Sequence, residues 1–238
     1  MNTVIYSKSN MIARITLNRP EVINAYNTQM RDELYEALIA VRDDREIRVL
    51  IISGNGKKGF CSGADLTEFG STPSQIIARS IKYERDIWTL LNQIQQPIIA
   101  ALHGYVIGSG LEIACFCDIR IAAEDTVFKM PELSLSLIPA AGGTQTLSRI
   151  INYSQALNII LSNKYISATE AKDIGLIKKI VKKKNLNDQV NKLANQLSKI
   201  NPNSIHLAKN LIKSSKDLSS NNLLQIEKNT FITNMKCN

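Results

Sequence analysis

The amino-acid sequence predicts an α/β fold in which parallel strands are joined by helical crossovers. Segments with the apolar periodicity of a strand alternate along the chain with segments that have the periodicity of a helix. A continuous apolar run at residues 49–52 is typical of a parallel strand buried on both faces. All eleven glycines lie at or before Gly175, so a loop-rich part precedes a tail that looks helical. The repeated order of strand, loop, helix and strand implies parallel pairing with crossovers.

The first part of the chain is predicted to form two short strands, a helix and a buried strand. Ile15 and Leu17 alternate with polar residues, as in a strand that is half buried. Apolar residues at positions 30, 34, 38 and 41 recur at spacings of three and four, which predicts an amphipathic helix. The predicted elements are strands at residues 4–6, 12–17 and 48–53 and a helix at residues 28–44.

Glycine and proline divide the middle part. The glycines from position 54 to position 63 predict a loop, and Asp65 with Glu68 looks like the cap of a helix. Pro97 separates a helix from the strand that follows it. The predicted elements are helices at residues 74–93 and 111–117, strands at residues 98–103 and 119–123, and a loop at residues 104–110.

The last part is predominantly helical. Gly142 and Gly143 open a helix, and Ser167 with Glu170 forms a capping box for a short helix that Gly175 closes. The predicted elements are helices at residues 142–151 and 154–161, a strand at residues 177–181, and then three helices divided at Pro202 and at residues 219–222.

The net charge of +8 is concentrated in the C-terminal quarter, where residues 178–238 contain twelve lysines and three acids. This basic tail allows three interpretations: a nucleic-acid or membrane partner, attraction of a phosphate-bearing small molecule, or a solvated helical face. The last is favoured because no nucleic-acid motif or interleaved aromatic residues accompany the lysines.

No apolar run approaches the roughly eighteen residues that span a bilayer. Without a secretory signal or a disulfide pattern, the sequence predicts a reduced cytoplasmic protein.

Ligands of such folds bind in the loops that leave the carboxyl ends of strands, here residues 54–66, 104–112 and 128–143. Glu112 follows a glycine-rich turn and lies within an apolar run. If it is buried, its pKa rises and suits proton transfer near neutral pH, although the exposed face of a helix is the alternative. Backbone N–H groups of the preceding turn are available to an anionic ligand.

The other polar residues of these loops give weaker signals. Glu132 follows Pro131, a combination typical of a surface turn. Cys61 with His103 suggests a nucleophile and its base, but a small buried side chain is the favoured interpretation of Cys61. No spacing of cysteine or histidine predicts a metal site.

Five segments carry a resemblance to a known family. They are LNRP at residues 17–20 with NA at 24–25, FCSGADL at 60–66, PIIAALHG at 97–104, GSGLE at 108–112 with CD at 117–118, and PE at 131–132 with PAAGGTQ at 139–145. In this order they resemble the crotonase, or enoyl-CoA hydratase/isomerase, family, over about residues 4 to 230. The resemblance implies a crotonase-like spiral core of strand–strand–helix repeats at residues 1–180. It also implies a helical trimerisation region at residues 181–238, short for the family, which builds trimers or hexamers.

The family acts on acyl chains linked as thioesters to coenzyme A, which enters as part of the substrate, so the resemblance implies no separate cofactor. It assigns the thioester oxygen to the backbone N–H groups of Ala64 and Ser109. It assigns activation of water to Glu112 and proton delivery to Glu132. The presence of both glutamates, with only apolar residues at 137–141, favours hydration over double-bond migration. An isomerase, or a dehydratase that acts on a specialised acyl thioester, is the alternative.

The resemblance also implies a set of contacts with coenzyme A and the acyl group. Some relatives have lysines where this chain has Glu21 and Thr67, so Lys57 and Lys58, or the basic tail of a neighbouring subunit, are candidates for the phosphate contacts. The expected contacts are Val22, Ile23, Ala25, Ser62, Gly63, Asp65, Leu66, Gly108, Pro131 and Gly142.

Overall fold

A computed structural model describes residues 2–68, 85–215 and 217–236. This part of the chain contains ten strands and nine α-helices, as the α/β prediction required. The strands are β1 (Val4–Ser9), β2 (Ile12–Leu17), β3 (Val49–Gly54), β4 (Gly59–Cys61), β5 (Ile98–Leu102), β6 (Tyr105–Ile107), β7 (Ile119–Ala123), β8 (Val127–Lys129), β9 (Ile166–Ser167) and β10 (Lys179–Val181). The helices are α1 (Thr28–Asp43), α2 (Ile87–Gln93), α3 (Ser109–Phe116), α4 (Gly143–Ile150), α5 (Tyr153–Ser162), α6 (Ala168–Asp173), α7 (Leu186–Leu197), α8 (Pro202–Ser214) and α9 (Ser220–Lys236).

A six-stranded sheet in the order β1-β2-β3-β5-β7-β10 forms the centre of the fold. Its strand pairs are parallel except for the antiparallel hairpin of β1 and β2. Leu50 and Ile52 of β3 point into the main core, whereas Val49 and Ile51 point into a second apolar cluster. Both faces of β3 are therefore buried, which is why its sequence is continuously apolar.

A second sheet of four short strands, in the order β4-β6-β8-β9, was not predicted. Strands β4 and β6 lie inside the segments that the glycine pattern assigned to loops. Because strands of two or three residues have no measurable periodicity, apolar patterning could not reveal them. Strands β4, β6 and β8 pair in parallel, so the loops that follow them emerge side by side.

Most predicted helices are present with ends that shift by one or two residues. The capping box of Ser167 and Glu170 is confirmed. The turn after Asp65 is a short 3-10 helix, and Glu68 accepts hydrogen bonds from the backbone N and Oγ1 of Thr28 at the start of α1. The helix predicted over residues 74–93 is described from Ile87 onwards, and residues 69–84 lie outside the described ranges.

The three predicted tail helices are present, and the first of them belongs to the core. Helix α7 covers the outer face of the six-stranded sheet with the buried side chains Leu186, Val190 and Ala194. Helix α8 is attached by Lys209, whose Nζ lies 2.6 Å from the carboxylate of Asp118. Some of the excess positive charge is thus used within the fold, and a boundary at residue 180 stays a prediction. None of the helices in the described residues is long and apolar enough to cross a membrane.

Candidate active site

A cavity of about 470 Å³ lies where the loops after β4, β6 and β8 meet. All four residues predicted to be catalytic line it, as do five of the ten predicted substrate contacts. The residues that line it are Tyr26, Arg31, Ser62, Gly63, Ala64, Leu66, Arg85, Trp88, Gly108, Ser109, Glu112, Pro131, Glu132, Leu135, Leu137, Ile138, Ala140 and Ala141.

The backbone amides of Ala64 and Ser109 belong to this cavity, and neither has a hydrogen-bond acceptor within the part of the chain that the structure describes. Tyr26 donates to the carbonyl of Gly63 and accepts from the amide of Asp65, each at 2.8 Å. Since successive amides of an extended chain point to opposite sides, the N–H of Ala64 points away from Tyr26. The Ser109 amide is one of the unpaired donors at the N-terminus of α3. Both amides are available to an oxygen in the cavity.

Glycines allow the loops to approach each other closely. A Cβ on Gly63, whose φ is +100°, would lie 3.2 Å from the carbonyl oxygen of Ile107. A Cβ on Gly108, whose φ is +50°, would lie 2.8 Å from Oε1 of Glu132. Any larger residue at position 108 would therefore displace the Glu132 carboxylate, in addition to straining the backbone.

Glu112 is buried, with an exposed fraction of 2%, which excludes the surface alternative that the sequence left open. Its Oε1 accepts hydrogen bonds from the amides of Ala141 at 3.0 Å and Gly143 at 2.9 Å. These donors, one just before α4 and one at its first residue, fix the direction of the carboxylate. They were missed in the sequence, although the Gly142-Gly143 pair marks the place where the chain comes close.

Glu132 lies in a different environment. Its side chain is half-buried in a 3-10 turn that begins at Glu132 itself. Its Oε2 is buried and has no hydrogen-bond partner within the described residues. Burial raises the pKa of this carboxyl above its ordinary value. A buried acceptor without a partner, facing a cavity, is suited to a bound water or a substrate atom.

The predicted coenzyme A segment is attached to the loop after β4. The amide and Oγ of Ser62 donate to the carbonyls of Ile23 and Val22 at 2.9 and 3.0 Å. Asp65 forms an ion pair with Arg19 at 2.9 Å. Val22, Ile23, Ala25 and Asp65 do not line the cavity. Their contact with coenzyme A stays a prediction.

The remaining predicted contact, Gly142, lines a neighbouring cavity, where the ring of Phe116 faces it. Lys57 and Lys58 are exposed, and the carbonyl of Lys57 accepts a hydrogen bond from Lys183. Their role towards the phosphates also stays a prediction.

Cys61 and His103 do not form a catalytic pair. Cys61 is buried, and burial raises the pKa of its thiol to about 12. The Nε2 of His103 lies 2.9 Å from the carbonyl oxygen of Gly56, and burial lowers the pKa of its ring. Within the described ranges no three histidine, cysteine, aspartate or glutamate side chains cluster as metal ligands.

Comparisons with known proteins agree with this geometry. The family model described as enoyl-CoA hydratase/isomerase matches residues 7–236. A short-chain-enoyl-CoA hydratase of Clostridium acetobutylicum is 32% identical over 231 residues, which are 97% of this chain and 88% of that protein. A crotonyl-CoA hydratase of Syntrophomonas wolfei is 33% identical over 229 residues, covering 96% of this chain and 88% of that protein. The crystal structure of an enoyl-CoA hydratase from Bacillus anthracis matches with a TM-score of 0.90 and 32% identity, covering 96% of this chain and 89% of that one.

Proposed function

The chain belongs to the enoyl-CoA hydratase/isomerase family, and on that premise we propose that it is an enoyl-CoA hydratase. The reaction is the reversible addition of water to a trans-2-enoyl-CoA, which gives a 3-hydroxyacyl-CoA. The observation that carries the proposal is the convergence of two glutamates and two unpaired amides on one cavity. The names of the two hydratase relatives support the same chemistry.

The amides of Ala64 and Ser109 hold the thioester oxygen. When a nucleophile adds to the β-carbon, the double-bond electrons move towards this oxygen and an enolate forms. Fixed donors directed at developing negative charge in a site that excludes water contribute about 3 kcal/mol each. Because backbone amides supply the donors, a serine at position 109 is compatible with this role.

The two glutamates take opposite proton-transfer roles. Glu112, oriented by two amides, acts as the base and removes a proton from the water that attacks the β-carbon. Glu132, whose raised pKa favours the protonated form, delivers a proton to the α-carbon. The enolate then returns to a thioester, and the reverse sequence eliminates water.

Two carboxylates support hydration over migration of the double bond. Migration returns the same proton to another carbon of the chain, and one acid is sufficient for it. Addition of water needs a base for the water and an acid for the carbon. Residues 137–141, which border the cavity, add no further ionisable side chain.

Incubation with crotonyl-CoA in ¹⁸O-labelled water tests the proposal. A hydratase incorporates the label at the β-carbon, whereas an isomerase produces an unlabelled enoyl-CoA. Glu112→Gln and Glu132→Gln should each reduce turnover by at least about a hundredfold. Glu124→Gln, at an exposed position outside the cavity, serves as the matched control. Full activity in both cavity variants would refute the mechanism.

The same proposal includes assembly into a homotrimer or hexamer through the tail helices. Helices α8 and α9 expose Ile212, Leu224 and Phe231, with exposed fractions of 71%, 64% and 65%. Such a contiguous apolar surface is costly in water and is suited to a contact between copies. Light scattering combined with gel filtration measures the assembly. A monomer at micromolar concentration would contradict it.

A further inference from the structure

Three aromatic side chains form a continuous wall beside the cavity. The ring centroids of Tyr26 and Trp88 lie 5.8 Å apart, and those of Trp88 and Phe116 lie 6.0 Å apart. Tyr26 and Trp88 line the catalytic cavity, whereas Phe116 lines a second cavity of about 520 Å³. The three rings therefore extend from the lining of the catalytic cavity to the lining of the second one.

The wall adjoins the helix that carries Glu112, since Phe116 is the last residue of α3. Ser109, at the start of α3, supplies an amide for the thioester oxygen, and Glu112 lies three residues further along this helix. Phe116 is four residues beyond Glu112 and so projects from the same face of α3. On the proposed mechanism the β-carbon lies at Glu112, so an acyl chain that continues along this face of α3 approaches Phe116 and the neighbouring indole.

The backbone of Trp88 and the ring of Phe116 are each fixed by a neighbouring segment. The Asp86 side chain caps α2 by accepting from the amides of Trp88 and Thr89 at 3.0 and 3.1 Å. On the other side, a Cβ on Gly142 would lie 2.7 Å from Cζ of Phe116, so this ring is in contact with the segment that holds Glu112. A movement of the indole towards Phe116 would press that ring against this segment.

We propose that Trp88 is the specificity-determining residue that limits the acyl chain to short lengths. This inference rests on the proposed hydratase function and defines its substrate class. The indole blocks the path from the catalytic cavity to the space beyond Phe116. A short enoyl group ends before the ring, whereas a long unbranched chain meets it.

The chain-length profile of turnover tests this inference. We expect kcat/KM of the wild-type protein to fall from crotonyl-CoA through trans-2-hexenoyl-CoA to trans-2-decenoyl-CoA. Trp88→Ala should raise the ratio of the decenoyl to the crotonyl value by at least about tenfold, since pocket size alone discriminates by this order. Trp88→Phe keeps an aromatic ring and should preserve the wild-type order. Tyr153→Ala, which removes an aromatic side chain exposed to 73%, controls for general effects of truncation.

A second measurement does not depend on turnover. Trp88 is the only tryptophan of the chain, so its fluorescence reports on this position alone. Butyryl-CoA should change the emission, whereas coenzyme A without an acyl group should not. This signal also keeps the inference testable if Trp88→Ala fails to fold.

The outcomes separate this inference from the proposed function. Absence of hydration with every enoyl-CoA would overturn the function itself. Hydration with an unchanged chain-length ratio in folded Trp88→Ala would overturn only the role of Trp88. Equal fluorescence changes with butyryl-CoA and with coenzyme A would also overturn it.

Discussion

The amide of Gly143 donates a 2.9 Å hydrogen bond to Oε1 of Glu112, which joins residues 31 positions apart in sequence. Gly143 is the first residue of α4, and Glu112 lies in the first turn of α3. The start of one helix thereby orients the carboxylate carried by another. The direction in which Glu112 can accept a proton depends on how closely these two helices approach.

Gly143→Ala should reduce kcat at least tenfold. A Cβ at this position would lie 2.8 Å from Oε1 of Glu112, from Cε of Met130 and from Cβ of Pro139. These atoms must move apart, and misplacement of a catalytic group by about 1 Å can cost on the order of a hundredfold in rate. Steady-state kinetics with crotonyl-CoA provide the measurement, and KM should change much less than kcat.

Gly175→Ala is the matched control for that substitution. Its φ of +83° makes alanine unfavourable, yet no atom lies within 4 Å of the added Cβ. This variant should lose stability and keep its kcat. If both variants lost kcat in proportion to their stability, the bond between Gly143 and Glu112 would have no specific role in catalysis.

Asn24 should be one of the polar residues on which stability depends most. It is fully buried, and its Nδ2 donates to the carbonyls of Asn55, Gly59 and Phe60. Asn24→Ala leaves these acceptors without their donor and should lower the free energy of unfolding by about 3 kcal/mol. Urea denaturation measures the loss, and the affinity for acyl-CoA should fall because the loop after β4 is released.

Asn10→Ala isolates the backbone part of that effect. Asn10 has a φ of +53°, close to the +55° of Asn24, but its side chain is exposed. The control should lose only about 1 kcal/mol, the cost of placing alanine in the left-handed region. Equal losses in the two variants would show that the three hydrogen bonds contribute nothing measurable.

The two glutamates differ in how far the sequence alone could identify them. Glu112 could be identified as a buried acid because a carboxylate within an apolar helix after a glycine turn is unusual. Glu132 could not, because a proline followed by an acid is typical of any surface turn. What places Glu132 at the cavity is the closeness of Gly108, a contact between residues distant in sequence. Only the family resemblance of the five motifs indicated it in advance.

The second sheet was missed for a similar reason. Strands β4, β6 and β8 have three residues each, and their identity depends on pairing across 20 to 50 positions of sequence. The groups that orient Glu112 are backbone amides. Because nearly every residue has such an amide, the sequence does not indicate which ones bind the carboxylate. Helices, in contrast, form through local hydrogen bonds, so their apolar spacing and caps placed most of them within two residues.

Cys61 should be inert in the folded protein, as its interpretation as a small buried side chain implies. Burial raises its pKa to about 12, so the reactive thiolate is scarcely populated at pH 8. Iodoacetamide should leave Cys61, Cys115 and Cys117 unmodified until denaturant is added, as mass spectrometry of the peptides would show. Cys61→Ala should retain crotonyl-CoA hydration within about threefold. Rapid alkylation of native Cys61 with parallel loss of activity would contradict this.

The stability of the Glu132→Gln variant relative to the wild type should increase as the pH rises. The folded-state pKa of Glu132 is raised above its unfolded value, so its protonated form is the one that folding favours. Below the ordinary pKa of glutamate this contribution is fully present, and it is lost as the pH rises through the raised value. Glutamine cannot ionise, so the Tm of Glu132→Gln minus that of the wild type should increase by a few degrees between pH 4 and pH 8.

Two further measurements decide whether ionisation of Glu132 causes that increase. Ser134→Ala removes a hydrogen bond to the carbonyl of Pro131 in the same turn without removing a titrating group. Its Tm difference from the wild type should therefore be constant over the same pH range. In the wild type, kcat/KM for hydration should fall as the pH rises through the raised pKa, because the α-carbon needs the protonated acid. If the Tm difference rises with pH but kcat/KM does not fall, the result supports the burial of Glu132 and refutes its role as the acid.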